Sequence, residues 1–365
     1  MDPHVRPTPA DLPETPLSAP RAPAARRAFR IALLVLPLGV AGNVVYTLLA
    51  TDRTLLDSVA HLPRGYLLAA LLLGLTPWVT GMLRLLIWTR FLHYHIPVRE
   101  LVRMTLVVDL GNALSSTAIG GEAFKWGMLL RQGVKPGAAA TIALLPKLED
   151  AVFFAIAVPT AIIWTRAWDL PVVLMSVRLL RENVLIVLGI GTAVLLVAWF
   201  VLHVVLHGHV GELVQRWSVR HWGRLRRRLR RTWREARVVL GRIAGRGKSR
   251  FALAIVLTGV HWIARYSVIA ALAAFLGVRF DPVLFWLLQW VVFTIMMFVP
   301  TPGATGGAEV AFTAVYATLL PSGMIGLATA AWRCFTFYVP TGLAALLFPL
   351  LGRRDTVSMQ PAPAR

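Results

Sequence analysis

The sequence predicts an all-α membrane protein, a polytopic bundle of about eight spanning helices. Two features of composition and one of pattern predict it: 57% of the 365 residues are hydrophobic, only 15% are charged, and long apolar runs recur along the chain. A soluble domain carries about 25% charged residues, so this chain has too little polar surface for a water-soluble protein of its size. A spanning helix needs about 20 apolar residues, which most of the runs supply.

The chain begins with a proline-rich segment, residues 1–28, which we expect to be a disordered cytoplasmic tail. Directly before the first apolar run lie Arg21, Arg26, Arg27 and Arg30, and the positive-inside rule then places the N-terminus in the cytoplasm. We predict a first transmembrane half at 29–206, a second at 251–351, and a cytoplasmic tail at 352–365. The predicted spans within these halves are 31–50, 66–89, 101–119, 138–165, 184–206, 251–276, 283–299 and 325–351.

The run at 101–119 departs from a simple span, because it contains Asp109 and Asn112 and ends at a Gly-Gly pair. If it crossed the membrane fully, the arginine-rich segment 207–250 would lie outside the cell. We therefore expect 101–119 to enter and return on one side, as a re-entrant or broken helix. The short apolar segment 309–320 is a second departure. Broken backbone at membrane depth is tolerated where protein or water covers it, so these breaks predict a cavity.

Residues 207–250 form a basic segment that we place in the cytoplasm. Fourteen of the 38 lysines and arginines of the chain lie between Arg216 and Arg250. Apolar residues recur there every three or four positions, which predicts a basic amphipathic helix in the lipid headgroup plane. A soluble cytoplasmic hairpin is the alternative. The apolar positions are Trp222, Leu225, Leu229, Trp233, Ala236, Leu240 and Ile243.

Two stretches of the chain resemble each other. Each has a Gly-Gly pair, a glutamate that opens the next helix, and a cation 24 or 25 residues further on. These residues are Glu122 and Lys147 in the first stretch, and Glu309 and Arg333 in the second. Such a repeat in two hydrophobic halves predicts a pseudo-symmetric, transporter-like architecture, in which interrupted helices direct their positive N-termini toward the midplane. Phosphate groups bind at such helix ends.

Ionisable side chains within spans cost at least ~2.5 kcal/mol each on insertion scales, so they pair or line a pathway. Arg265, inside the run 251–276, is one of these side chains. We expect the two repeated pairs to converge near the midplane, where Lys147 and Arg333 would hold a lipid phosphate. The alternative is that acids and bases neutralise one another and lock the helices together, which applies to the acids Glu149 and Asp150 and to the cations Lys147 and Arg333. The candidate headgroup-binding residues are Glu122, Lys125, Lys147, Asp150, Glu309 and Arg333.

The sequence predicts no metal site, cofactor or catalytic residue. Cys334 is the only cysteine, which excludes an intramolecular disulfide and a Cys-rich metal site. His203 and His207 share a helix face, but the sequence places no carboxylate or further ligand beside them. The chain contains no P-loop or hydrolase motif, so we do not expect an ATP-driven pump. No nucleic-acid recognition motif accompanies the net charge of +21, so we expect no nucleic-acid partner.

The charged motifs resemble those of the lysylphosphatidylglycerol synthase transmembrane-region family, or flippase-like domain proteins. This family includes the membrane half of the bacterial multiple peptide resistance factor. The first matching motif runs from Gly120-Gly121-Glu122 to Arg131-Gln132-Gly133, and the second is Pro146-Lys147-Leu148-Glu149-Asp150. The last motif is Pro300-Thr301-Pro302-Gly303, followed by Glu309 and Arg333.

The resemblance implies a lipid translocator of the bacterial cell membrane that moves an anionic, aminoacylated or polyprenyl-phosphate-linked lipid between leaflets. The alternative is a non-transporting accessory subunit of a glycolipid or glycosyltransferase system. Full-length family members also carry a soluble aminoacyltransferase domain. Because only about fourteen residues follow the last predicted span, we expect no such domain and no enzymatic activity here. Membrane lipids are the expected ligands, and a second copy or a lipid-modifying enzyme stays open as a protein partner.

Overall fold

A computed structural model describes residues 63–114, 120–169, 215–299 and 301–352 of the chain. Within these ranges the chain is helical and has no strand, which confirms the predicted all-α class. A π-helical turn, Cys334–Tyr338, joins the last two helices. Numbered in chain order, the helices are α1 Gly65–Phe91, α2 Val98–Leu114, α3 Gly120–Arg131, α4 Pro136–Thr165, α5 Gln215–Arg246, α6 Lys248–Phe275, α7 Pro282–Met296, α8 Gly307–Tyr316, α9 Ile325–Arg333 and α10 Val339–Gly352.

Three helical segments in the described ranges are long and apolar enough to cross a membrane. They are α1, α6 and the continuous segment Ile325–Gly352, which comprises α9, the π-helical turn and α10. These segments correspond to the predicted spans 66–89, 251–276 and 325–351. The predicted spans 31–50 and 184–206 lie outside the described residues.

Helices α1 and α6 pack against each other and run antiparallel. At the C-terminal end of α1, the Trp88 ring lies 6.4 Å from that of Phe251, and the guanidinium of Arg250 lies 4.8 Å above the Phe91 ring. At the opposite end, Ala70 of α1 belongs to the same buried cluster as the last residues of α6. The start of α6 and the end of α1 therefore lie at one end of the bundle.

Helices α2 and α3 form an antiparallel pair, called here the first helix pair. Asn112 Oδ1 accepts a hydrogen bond from Gly121 N at 3.1 Å, while Gln132 Nε2 donates to Glu100 Oε2 at 3.4 Å at the other end. With 17 residues, α2 is about 26 Å long, which is less than a ~30 Å hydrocarbon core. It ends at Leu114, inside the run that sequence analysis expected to be broken.

Helices α7 and α8 form a second antiparallel pair, the second helix pair. The tip of a helix pair is the end where its two helices are joined, and the open end is the opposite one. Near the open end of the second pair, Tyr316 Oη donates to Phe285 O at 2.8 Å. At its tip, Gly307 packs against Val299. The open end belongs to the buried cluster that contains the C-terminal residues of α6. The open end of the first pair lies instead beside α10, where Gly352 packs against Arg103. The 3₁₀ turn Pro302–Ala304 contacts α2.

The predicted basic helix is present as α5, which is continuous over 32 residues and contains no hairpin turn. It packs on the start of α4 through Val239 and Ile243, which are buried in one cluster with residues of α1 and α4. Two of the predicted apolar positions, Trp233 and Leu240, are exposed. The side chains of the predicted positions Trp222, Leu225 and Leu229 lie outside the described part of the structure. The position of α5 in the headgroup plane stays a prediction.

Candidate functional site

A cavity of about 520 Å³ opens between the two helix pairs, α1, α4 and α6. Its volume is within the ~300–1,000 Å³ range of small-molecule sites. Much of the wall is apolar or aromatic, which is also typical of such sites. The charged or titratable residues that line it are Arg84, Asp109, Glu122, Lys125, Lys147, Asp150, His261, Arg265 and Tyr266.

Arg84 of α1 holds two acids of α4. Its Nε donates to Glu149 Oε2 at 2.6 Å, and its Nη2 donates to Asp150 Oδ1 at 3.1 Å. The second oxygen of Glu149 accepts from Trp88 Nε1 at 2.6 Å, and Asp150 Oδ1 also accepts from Trp262 Nε1 at 2.9 Å. Glu149 is fully buried, so its charge depends on these partners. The network joins α1, α4 and α6 at one level of the bundle.

Glu122 lies in the first turn of α3, where the helix dipole favours a negative charge. Lys125 Nζ is 2.5 Å from its Oε2, and both side chains are buried. Lys147 Nζ is 3.9 Å from Glu122 Oε1 and 4.0 Å from Asp150 Oδ2, distances too long for strong hydrogen bonds. The Lys147 side chain is also 51% exposed. Its ammonium group is therefore held loosely at the cavity wall.

Arg265 of α6 is a further cation at the cavity wall. Its guanidinium lies 5.3 Å from the centre of the Phe293 ring. Among the residues that the structure describes, no carboxylate forms an ion pair with it. An arginine presents five N–H donors, so this guanidinium keeps donors for a ligand. Asp109, on the wall formed by α2, accepts a hydrogen bond from Trp78 Nε1.

The second repeated pair lies behind the cavity wall. Arg333 Nε donates to Glu309 Oε1 at 2.8 Å, and its Nη2 donates to Gly303 O at 3.0 Å. Glu309 Oε2 accepts from Gly306 N at 2.7 Å at the start of α8. The Arg333 side chain is only 1% exposed, and its guanidinium lies 4.6 Å above the Phe337 ring. Neither Glu309 nor Arg333 is among the residues that line the cavity.

The structure therefore brings four of the six predicted site residues to one cavity and separates the other two from it. Glu122, Lys125, Lys147 and Asp150 line the cavity, whereas Arg333 lies behind two of its lining residues, Gly303 and Phe337, and holds Glu309 there. The second repeated pair does not line this cavity, and the expected convergence of both pairs near the midplane stays a prediction. Each glutamate does pair with the cation 24 or 25 residues beyond it, but one cation is enclosed and the other is half exposed.

Sequence analysis did not name three of the charged or titratable residues that line the cavity: Arg84, His261 and Tyr266. Arg84 is a single arginine inside the apolar run 66–89, and His261 lies inside 251–276. An ionisable residue within a span is itself a signal of a functional site, and this signal could have identified both. No group of three or more His, Cys, Asp or Glu residues that could hold a metal occurs in the described ranges. His203 and His207 lie outside them.

Comparison with known proteins gives two matches. The family described as "Lysylphosphatidylglycerol synthase TM region" matches residues 30–344, a range that includes every residue that lines the cavity. A UPF0104 membrane protein of Archaeoglobus fulgidus is 23% identical over 275 residues, which cover 74% of this chain and 82% of that protein.

Proposed function

Because this chain belongs to the lysylphosphatidylglycerol synthase TM-region family, we propose that it is a lipid translocator. The headgroup of an anionic, aminoacylated or polyprenyl-phosphate-linked lipid would cross the bilayer through the central cavity while its tails stay in the hydrocarbon. The proposed location is a bacterial cell membrane, with the N-terminus in the cytoplasm. Moving a lipid between leaflets needs no covalent chemistry, and we propose no enzymatic activity.

The observation that carries this proposal is that Arg265 lines the cavity without an ion-pair partner among the described residues. A cation on a membrane helix is costly unless it has a partner, and no described carboxylate forms an ion pair with Arg265: its guanidinium contacts the Phe293 ring, and the charge of Asp109 acts on it without ion-pair contact. A phosphate oxygen in the cavity would supply that partner, with the bidentate geometry that a guanidinium favours. Lys147, which is loosely held at the same wall, would add a second positive charge.

The acids of the cavity support transient binding of such a headgroup. Arg84, Lys125 and Lys147 are each near a carboxylate, so a lipid phosphate would compete with these acids for the cations. Such competition limits affinity and allows the headgroup to leave, which a translocator requires. Asp109 and Asp150 also provide oxygens for the ammonium group of an aminoacylated headgroup.

The arrangement of the two helix pairs supports the proposed pathway. We interpret each pair as a re-entrant element of one pseudo-symmetric half, the first entering from the cytoplasmic side and the second from the outside. Their tips meet where the turn Pro302–Ala304 contacts α2. In transporters, binding sites near the midplane are formed by interrupted helices of this kind, whose N-termini attract anionic groups.

Replacing Arg265 tests the proposed site. Arg265→Gln should lower the rate of phosphatidylglycerol transfer between leaflets of proteoliposomes by roughly 10–100-fold, since hydrogen bonds to charged groups contribute about 1.5–3 kcal/mol each. Arg265→Lys should retain part of the rate, because the positive charge remains but the planar guanidinium that can bind a phosphate through two N–H groups is lost. Arg279→Gln, in the exposed turn after α6, is the matched control and should transfer normally. A folded Arg265→Gln protein with the normal rate would contradict the proposed site.

A further inference from the structure

A second cavity lies apart from the central one, in a groove between α5 and the turn that joins α1 to α2. We call it the basic groove. Its volume is about 460 Å³, and it shares no residue with the central cavity. Its lining residues are Leu92, Tyr94, Lys135, Ala138, Arg234, Glu235, Val238 and Arg242.

The basic groove carries positive charge that its one acid does not neutralise. Glu235 Oε2 accepts a hydrogen bond from Gly137 N at 3.0 Å, and its Oε1 accepts from Arg231 Nε at 3.1 Å. Both oxygens of this carboxylate are thus committed to groups outside the groove. The three cations of the groove form no ion pair with any residue that the structure describes: Lys135, Arg234 and Arg242.

The basic groove lies at the level where two apolar segments end, which is where a membrane surface is expected. It adjoins Leu92, directly after α1, and α5 ends where α6 begins, so the groove lies at the end of two segments that are apolar enough to span. Val238 in the groove is exposed, as are Trp233 and Leu240 on another face of α5. Cations beside exposed apolar side chains, at the level where spanning helices end, match the headgroup and upper acyl chain of a phospholipid.

We propose that the basic groove binds the phosphodiester of an anionic phospholipid that stays at the membrane surface and is not carried through the central cavity. Arg234, Arg242 and Lys135 would surround the phosphate, and Val238 with Leu92 would contact the upper part of an acyl chain. The bound lipid would hold α5 against the start of α4, where Glu235 already caps the Gly137 N–H.

A fluorescent reporter beside the groove tests this proposal without a signal from the central cavity. In a Cys334→Ala background, the variant Gly241→Cys provides one labelling position next to Arg242, where no atom lies within 4 Å of an added Cβ. The full chain is labelled there with bimane in detergent micelles. It is then titrated with phosphatidylglycerol that carries a nitroxide near its headgroup, and the concentration for half-maximal quenching is measured.

The decisive comparison is between removing two charges inside the groove and removing two charges outside it. Arg234→Gln with Arg242→Gln should raise that concentration by roughly tenfold or more, because each variant side chain loses charge-assisted hydrogen bonds to the bound phosphate. The matched control, Arg237→Gln with Arg246→Gln, removes two exposed arginines of the same helix and should change it by less than about twofold.

Three outcomes would overturn the proposal. Equal weakening in both double variants would mean that only the overall charge of α5 matters. Unchanged binding in the groove variant would exclude the groove. Competition by inorganic phosphate as effective as that by unlabelled phosphatidylglycerol would assign the groove to a soluble anion instead of a lipid. Because the reporter does not sense the central cavity, none of these outcomes depends on whether lipid is translocated.

Discussion

Arg265 and Arg333 are both arginines within apolar helices, yet their surroundings differ. Arg333 is enclosed and holds Glu309, the Gly303 carbonyl and an aromatic ring, so its donors are largely used within the protein. Arg265 lines a cavity, and its described contact is with a ring. At the residue scale, burial and the number of committed donors distinguish an arginine that supports the fold from one that can bind a ligand.

The Glu309–Arg333 pair is expected to stabilise the fold. Arg333→Gln should leave the Glu309 carboxylate without its cation and cost about 3–5 kcal/mol of stability. The double variant Arg333→Gln with Glu309→Gln should recover much of this loss, because no unpaired charge remains and the amide oxygen can still accept from Gly306 N. Thermal unfolding of the purified proteins in detergent should give the double variant a midpoint temperature between those of Arg333→Gln and the unmodified chain.

The same two variants test the prediction that Arg333 holds a lipid phosphate. That role would leave Arg333→Gln folded with normal thermal stability but unable to translocate lipid, and Glu309→Gln would not rescue transport. A stable single variant without transfer would therefore contradict the structural role of the pair.

The sequence was informative about single charged residues and less so about their partners. The repeat identified Glu122, Lys147, Glu309 and Arg333 as related, and each glutamate does contact its cation. It did not indicate that Lys125 lies closer to Glu122 than Lys147 does, or that Arg84 holds Glu149 and Asp150. The Lys125–Glu122 contact is an i,i+3 pair within α3, which helical spacing could have indicated. The contacts of Arg84 join α1 to α4 and depend on packing, which a local pattern does not encode.

At the scale of elements, the first helix pair depends on glycines that allow close contact. A Cβ at Gly111 would lie 2.6 Å from Gly121 Cα, a distance at which one helix must move. Gly111→Ala should therefore separate α2 from α3 and lower stability by about 1–3 kcal/mol. Gly127→Ala in α3 is the matched control: no atom lies near its added Cβ, and alanine favours a helix. Equal thermal stability of the two variants would contradict this packing.

The periodicity of apolar residues in α5 predicts its helical structure but not all of the contacts that it makes with other helices. The recurrence of apolar residues predicted its helical structure, but Val239 was not among the predicted positions and is buried against α1 and α4. Glu235 looked like one acid among many arginines, whereas it caps Gly137 at the start of α4. Both contacts are made with α4, about 100 residues away in sequence, so amphipathicity alone could not identify them.

At the scale of the whole molecule, the antiparallel α1 and α6 define two ends of the bundle, and topology assigns each end to one side of the membrane. In a Cys334→Ala background, Arg246→Cys at the end of α5 should resist impermeant thiol reagents in intact cells. Arg279→Cys, exposed in the turn after α6, should react, because α6 crosses between the two positions. Labelling of Arg246→Cys from outside would contradict the orientation and the re-entrant interpretation of the first helix pair.

The central claim is that the chain moves an anionic, aminoacylated or polyprenyl-phosphate-linked lipid between leaflets. Its most direct test is a leaflet-sidedness assay in proteoliposomes that contain the purified, folded chain and one labelled lipid at a time, with protein-free liposomes as the reference. We predict that phosphatidylglycerol, its aminoacylated form or a polyprenyl phosphate changes leaflet faster than in the reference, and faster than phosphatidylcholine does. If none of these lipids moves faster than in protein-free liposomes, the translocator account is contradicted and the accessory-subunit alternative is favoured.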